Sequence, residues 1–339
     1  MERMNLGNTG IKAVRMGFGG IPIQRVSETQ AVEVVSYALH KGMDFIDTSR
    51  MYSTSEGRIG KALKETDKKV AVATKSFNRS ADGIQKDVEI SLKKLQRDYI
   101  DLYQCHGISS EAEYSLVTSP NGALHGLIKA KEQGLIGHIG VTGHSLDVLA
   151  KIVDDGLFET IMVCYSFLEP AAKEKVIPKA REKGIGIIAM KPFSGGVIEA
   201  PEVALKWVFS FPDILVIAGV EEKKLIDQNW KAFHGSYELT DAEKQKIEEI
   251  CREYDKKFCR RCDYCLPCPA EIPIQFVLGM RSLLRRMGDG ALQTPMFKHM
   301  VEKAADCTEC GDCMGRCPYN LPIPDMIKAN LNWINELKK

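Results

Sequence analysis

Residues 70–104 read VAVATKSFNRSADGIQKDVEISLKKLQRDYIDLYQ, and this stretch decides the fold. Val70–Lys75 is a short apolar run, Ser80–Leu95 repeats apolar residues at helical spacing, and Ile100–Gln104 is short and apolar again. Strand, helix and strand in succession imply parallel neighbours in one sheet. The alternation extends from residue 15 to about 233. Further strands are expected at Met16–Gly19, Asp44–Asp47, His138–Val141, Thr160–Tyr165, Gly186–Met190 and Leu215–Ala218. Helical patterns lie at Glu28–His40, Ala123–Gln133, Ala171–Lys183, Ala200–Phe209 and Glu222–Lys231. Lys41-Gly42, Gln133-Gly134 and Lys183-Gly184 are helix stops. Eight strand–helix units in just over two hundred residues imply an α/β fold closed as a (β/α)8 TIM barrel. Met4–Val14, with its Asn8-Thr9-Gly10 turn, reads as a short hairpin placed to plug the lower end.

A chain of 339 residues suits one large domain and one small. The expected division is a barrel over 1–235 and a helical iron–sulfur domain over 236–339. A net charge of +1 argues against a nucleic-acid partner. Met1–Gly10 has no apolar signal region, and the longest apolar stretch, about Ile214–Val220, is far too short to span a membrane. A cytoplasmic setting without a membrane partner is therefore expected. Beyond 235 the alternation stops. Leu239-Thr240-Asp241-Ala242-Glu243 opens a helix to about Tyr254, with Thr240 as its cap and Glu243 three residues on. The stretch from Ile272 to Lys303 is expected to be helical and somewhat basic. No repeat other than the strand–helix alternation is evident.

Eight of the eleven cysteines form two runs. One is Cys259-x2-Cys262-x2-Cys265-x2-Cys268-Pro269; the other is Cys307-x2-Cys310-x2-Cys313-x3-Cys317-Pro318. The second matches the iron–sulfur run of bacterial ferredoxins, and the first is one residue shorter before its last cysteine. Zinc is the rival, because paired C-x2-C motifs also make zinc sites. Four thiols per run point instead to two [4Fe–4S] clusters. The likeness to two-cluster ferredoxins implies exchange of the fourth ligands: Cys259, Cys262, Cys265 and Cys317 on one cluster, and Cys307, Cys310, Cys313 and Cys268 on the other. Cys105, Cys164 and Cys251 read as small buried hydrophobes.

Chemistry in such barrels gathers at the C-terminal ends of the strands. The second strand ends at Asp47 with Tyr52 five residues on, the third at Lys75, and the fourth runs into His106. A phenol with pKa near ~10 is a poor acid at neutral pH, and an adjacent ammonium brings it toward the working range. Asp47 would hold Lys75 charged, Tyr52 would protonate a carbonyl oxygen, and His106 would orient that oxygen.

These four residues match the Asp-Tyr-Lys-His tetrad of the aldo-keto reductase family. The run Asp44-Phe45-Ile46-Asp47-Thr48-Ser49-x2-Tyr52-x3-Glu56-x3-Gly60 resembles that family's signature segment, and the cysteine tail resembles its members with a ferredoxin-like domain. The resemblance implies reversible hydride transfer between NADPH or NADH and a small carbonyl or alcohol substrate, with Tyr52 as general acid and base. It implies a nicotinamide site at the ends of strands five to eight. The residues in place there are Thr142, His144, Lys191, Ser194, Gly195, Gly219, Lys223, Lys224 and Asn229. The family's Ser-Asn, glutamine and stacking aromatic are replaced by Gly143-His144, Met162 and Met190, and a phosphate-clamping arginine by Leu225. Two readings follow. In one, the barrel is a nicotinamide-linked carbonyl reductase or alcohol dehydrogenase whose clusters are structural or exchange electrons with a ferredoxin- or flavodoxin-type partner. In the other, nicotinamide is absent and the clusters supply electrons to a substrate in the barrel.

Overall fold

The computed structural model describes residues 3–337, with only the backbone at Asp289, so residues 1–2 and 338–339 of the two expected domains lie outside it. A hairpin of β1 (Arg3–Asn5) and β2 (Lys12–Val14) comes first. Then follow β3 (Met16–Gly19), β4 (Phe45–Asp47), β5 (Ala71–Ser76), β6 (Ile100–Cys105), β7 (Ile136–Gly143), β8 (Thr160–Cys164), β9 (Gly186–Met190) and β10 (Ile214–Gly219). These eight are parallel and close a barrel in chain order, β10 pairing with β3. The expected strands are all present, shifted by a residue or two at their ends.

Successive strand residues face opposite sides of a sheet. Phe45, Ala73, Leu102, Met162, Ile188, Leu215 and Ile217 fill the barrel interior, while Ile46, Val72 and Tyr103 belong to the layer beneath the helices. The same period of two turns Asp47, Lys75 and Gln104 inward. The register sets Asp47 beside Ala73 and Lys75 beside Gln104, so these polar ends share one rim.

The hairpin seals the opposite end. Met4 and Leu6 join the interior cluster, and the Asn8 amide donates to the Gly184 carbonyl at 2.8 Å, next to the start of β9. Gly7 has φ +54°, and a β-carbon there would collide with the Gly186 amide and the Gly184 carbonyl.

The segment that follows β6 contains a helix over Glu111–Thr118 that the sequence reading did not include. Ser110 caps it by accepting from the Glu113 amide at 3.2 Å. The single helix expected over Ala171–Lys183 is two, Ala172–Lys175 and Ile177–Glu182. Pro178 has no amide hydrogen to continue the first helix.

The described residues form two compact units, one ending at Leu239 and the other running from Thr240, with Gly195–Val197 grouped with the second. The second opens on helix Asp241–Tyr254, whose capping box between Thr240 and Glu243 is complete. Its core joins Val277, Met280, Phe297, Met300, Ile323 and Ile327 to Cys265 and Cys313.

This unit contains a repeat that the sequence reading overlooked. Arg261 and Asp263 in the first cysteine run, and Glu309 and Gly311 in the second, take up positive φ at matching positions. After each closing Cys-Pro, Glu271 and Asn320 again have positive φ, and their amides donate to the Cys268 and Cys317 carbonyls at 2.9 and 3.1 Å. Ile272-Pro273-Ile274 and Leu321-Pro322-Ile323 then lead into helices Ile274–Leu278 and Ile323–Leu337. Unequal cysteine gaps and dissimilar residues between them hide the correspondence in a linear reading.

Replacing Gly7 with Ala combines left-handed strain with overpacking, and should cost about 2–4 kcal/mol. The check is a lowered urea midpoint with an unchanged circular dichroism spectrum.

Candidate functional site

Lys75 is the centre of the rim, and it is buried. Its Nζ donates to both carboxylate oxygens of Asp47 at 2.7 and 2.6 Å and to the Thr48 carbonyl at 2.8 Å. It also lies 5.1 Å from the Tyr52 ring centroid. Burial alone would push the Lys75 ammonium down and the Asp47 carboxyl up, and each partner's charge opposes that. For Lys75 the attractions of Asp47 and Tyr52 outweigh burial, and its pKa is raised. The group is a fixed ammonium beside a half-buried phenol.

His106 follows β6, its ring stacked on Phe77 at 4.0 Å and edge-on to Tyr52 at 6.2 Å between centroids. Ser49 Oγ lies 3.1 Å from His106 Nδ1. Arg79 donates to the His106 carbonyl at 2.8 Å and to the Gly107 carbonyl at 3.1 Å. Burial, then the charges of Lys75, Arg79 and Lys191, hold the imidazole well below its ordinary range, so it is neutral. The four residues read as a tetrad therefore meet at one place.

The sequence reading missed three supporting residues. Gln104 donates to Asp47 Oδ1 at 3.3 Å, while its own buried Oε1 has no protein partner. Ser49 and Arg79 hold His106 at the ring and at the backbone. All three lay within the segments already quoted, and the inward period of two pointed to Gln104.

The residues read as nicotinamide contacts are more dispersed. The Thr142 hydroxyl accepts from the Gly107 amide at 2.8 Å, which ties β7 to the loop after His106. His144 Nε2 is 2.6 Å from Lys191 Nζ, and Ser194 Oγ is 2.8 Å from Ser166 Oγ. Lys223 pairs with Glu33 and Lys224 with Glu222, at 2.9 and 2.7 Å. Glu221 pairs with Arg25. Asn229 is buried, and Gly195 falls in the second unit. Gly219 has a packing reason: a β-carbon would sit 2.9 Å from Pro22 Cγ. Gly143 is likewise forced, since a β-carbon would lie 2.7 Å from the Ile108 carbonyl oxygen. Met162 is interior barrel core, and Met190 packs against it.

No disulfide joins any of the eleven cysteines. Cys268, Cys307, Cys310 and Cys313 line one cavity together with Ile272, Ile274 and Ile327. This gathers three cysteines of one run with the last of the other. Burial and then the Cys317 thiolate push the Cys262 thiol up to about 11. Burial and then Cys259 push Cys265 up to about 12. Cys317 is thus a neighbour of Cys262, and Cys259 a neighbour of Cys265. Cys105, one of the three outside the runs, is buried and pushed up to about 12 by that burial.

The Aldo/keto reductase family profile matches residues 15–201, more than half of the chain. The chain belongs to the aldo-keto reductase family. A 4Fe-4S dicluster domain profile matches residues 258–322, so this aldo-keto reductase carries an iron–sulfur domain. It is 32% identical over 217 residues to L-galactose dehydrogenase of Arabidopsis thaliana, covering 58% of this chain and 67% of that protein. It is 32% identical over 206 residues to the aldo-keto reductase YhdN of Bacillus subtilis, covering 55% and 60%. The fold matches the holo form of aldo-keto reductase AKR11C1 from Bacillus halodurans with a TM-score of 0.64 at 23% identity, over 74% of this chain and 96% of that one. The chain is an oxidoreductase acting on small molecules, and no described helix is long and apolar enough to cross a membrane.

Two predictions concern the reductase's rim. Lys75→Met strands the buried Asp47 carboxylate and should cost about 3–5 kcal/mol, read from urea unfolding. His106 stays neutral in the fold, whereas the unfolded chain protonates it below about pH 6.5. The unfolded state therefore binds more protons, and stability falls as pH drops through that value, by up to about 1.4 kcal/mol per unit. His106→Asn should flatten this part of the slope in urea midpoints compared between pH 7 and pH 5.

Proposed function

We propose that this protein reversibly reduces a small carbonyl compound to an alcohol with a nicotinamide cofactor, and that its second unit holds two [4Fe–4S] clusters. The observation that carries the first part is the buried Lys75 ammonium, bonded to Asp47 and facing the Tyr52 ring. A cation in that position stabilises the phenolate and makes Tyr52 an able acid. Tyr52 gives its phenolic proton to the substrate oxygen in reduction and recovers it in oxidation. His106 has Nδ1 occupied by Ser49, which leaves Nε2 to orient the same oxygen. Because His106 is neutral, it adds no positive charge that would compete with Lys75. The likeness to L-galactose dehydrogenase supports a small polar alcohol as the reduced partner of the couple.

The donor set after β7, β8 and β9 suits a nicotinamide nucleotide. The His144–Lys191 and Ser166–Ser194 pairs supply the N–H and O–H donors that a carboxamide and a pyrophosphate require. When bound, that group would supply or take up the hydride. An additional 2′-phosphate fits poorly, because Arg25, Lys223 and Lys224 are each held by a carboxylate. NADH is therefore the proposed cofactor.

The two cysteine groups suit cubanes, each having three thiols from one run and one from the other. Their clusters would exchange single electrons with a ferredoxin- or flavodoxin-type carrier. The burial of Met162 and the close approach at Gly143 favour a second reading in which the barrel binds no nicotinamide and the clusters are the electron source.

Anaerobic titration of the iron-loaded protein with NADH and NADPH separates the two readings, with nicotinamide fluorescence and cluster absorbance followed together. Stoichiometric binding, tighter for NADH, is expected; absence of binding for both would leave the second reading. Tyr52→Phe should lower kcat by about 10²–10⁴-fold while nicotinamide affinity stays within about twofold.

A further inference from the structure

The two cysteine runs share left-handed turns at matching positions and carry opposite charge. Within the first, the charged residues between ligands are Arg260, Arg261 and Asp263, with a net single positive charge. Within the second they are Glu309, Asp312 and Arg316, with a net single negative charge. The contrast is sharpest at the matched left-handed positions, where Arg261 in one loop corresponds to Glu309 in the other.

The arginines of the first run are held against its ligands. The Arg261 amide lies 3.4 Å from Cys259 Sγ, and its guanidinium donates to the Cys259 carbonyl at 3.3 Å. The Arg260 guanidinium packs over Tyr319 at 4.1 Å, two residues beyond Cys317. Arg260 thus lies beside both chain segments that contribute to this group of four. Both arginines and the opposing Asp263 are half-buried, so water screens the net single positive charge of this loop only in part. At the second site Glu309, Asp312 and Arg316 are exposed, as is Cys310. Arg316 donates to the Pro267 carbonyl at 2.8 Å and lines the cavity, opposing the two acids.

A cubane gains one negative charge on reduction, so its potential rises with nearby positive charge and falls with nearby negative charge. Exposure of Cys310 works the other way, since water also stabilises the added charge. A difference of two unit charges in net loop charge, with the three charged residues of the first loop half-buried, outweighs the exposure of one ligand.

We infer that the two sites are unequal by design of these loops: the site of Cys259, Cys262, Cys265 and Cys317 is the one where an electron comes to rest. A low-potential one-electron donor loses one electron and the cluster at this site gains it. No bond is broken and no proton is taken up. The site of Cys307, Cys310, Cys313 and Cys268 fills second. The inference rests on the proposed two-cluster content of the second unit.

The test is an anaerobic redox titration of the full holoprotein with dithionite, followed by electron paramagnetic resonance, alongside iron and sulfide analysis. Two one-electron steps are expected, separated so that the first cluster is at least tenfold more reduced at its neighbour's midpoint, which is about 59 mV for a one-electron couple. The paired substitutions Arg260→Thr and Arg261→Glu give the first loop the residues of the second. They should lower only the upper step and bring the two together. Glu309→Arg acts from the other side and should raise only the lower step, so a loss of cluster assembly in one variant does not shield the inference. Iron sufficient for two cubanes with a single unsplit step overturns the inference alone. So does an upper step that stays fixed when both arginines are replaced. Iron for only one cubane overturns the two-cluster reading and the inference with it.

Discussion

The buried contact between Lys75 and Asp47 is the constraint around which the barrel's rim is arranged. Taking an ammonium and a carboxylate out of water costs several kcal/mol per ion, and only close, saturated geometry offsets it. The structure meets that demand with both Asp47 oxygens, the Thr48 carbonyl and a bond from Gln104. Neighbouring strands β4, β5 and β6 must stay in register for these groups to meet. The pair therefore depends on barrel closure, and the chemistry proposed for Tyr52 depends on the pair.

The iron–sulfur unit solves a different problem. Its core is small, and Cys265 and Cys313 are themselves part of it. Burial raises the pKa of these thiols, so any metal taken up there would displace their protons. Repetition of the loop-and-helix pattern brings Cys268 to the cavity lined by Cys307, Cys310 and Cys313.

The departures from the family pattern have packing causes. Gly143 admits the Ile108 carbonyl, Gly219 admits Pro22, and Met162 fills the interior beside Leu102 and Ile188. Lysines that looked suited to phosphate are paired with carboxylates. A residue type at a family position is thus a poor guide to its task when its neighbours have changed as well.

Much of the fold is written in local patterns. Strand and helix periods from Met16 to His234, the Thr240 capping box and the spacing of eight cysteines each report on residues close in sequence, where geometry is fixed by the backbone itself. The tetrad was legible because parallel strands end on one rim, so the end of a strand identifies the place. The helix at Glu111–Thr118, the break before Pro178 and the repeat in the iron–sulfur unit were missed; their signals were short or spread across unequal gaps. The sequence alone determined which chemical groups the chain carries and on which elements. The tertiary structure alone decided that Ser49 meets His106 and that Gln104 meets Asp47. Such pairings depend on side-chain distances across separate elements, and only packing of the folded chain sets those distances.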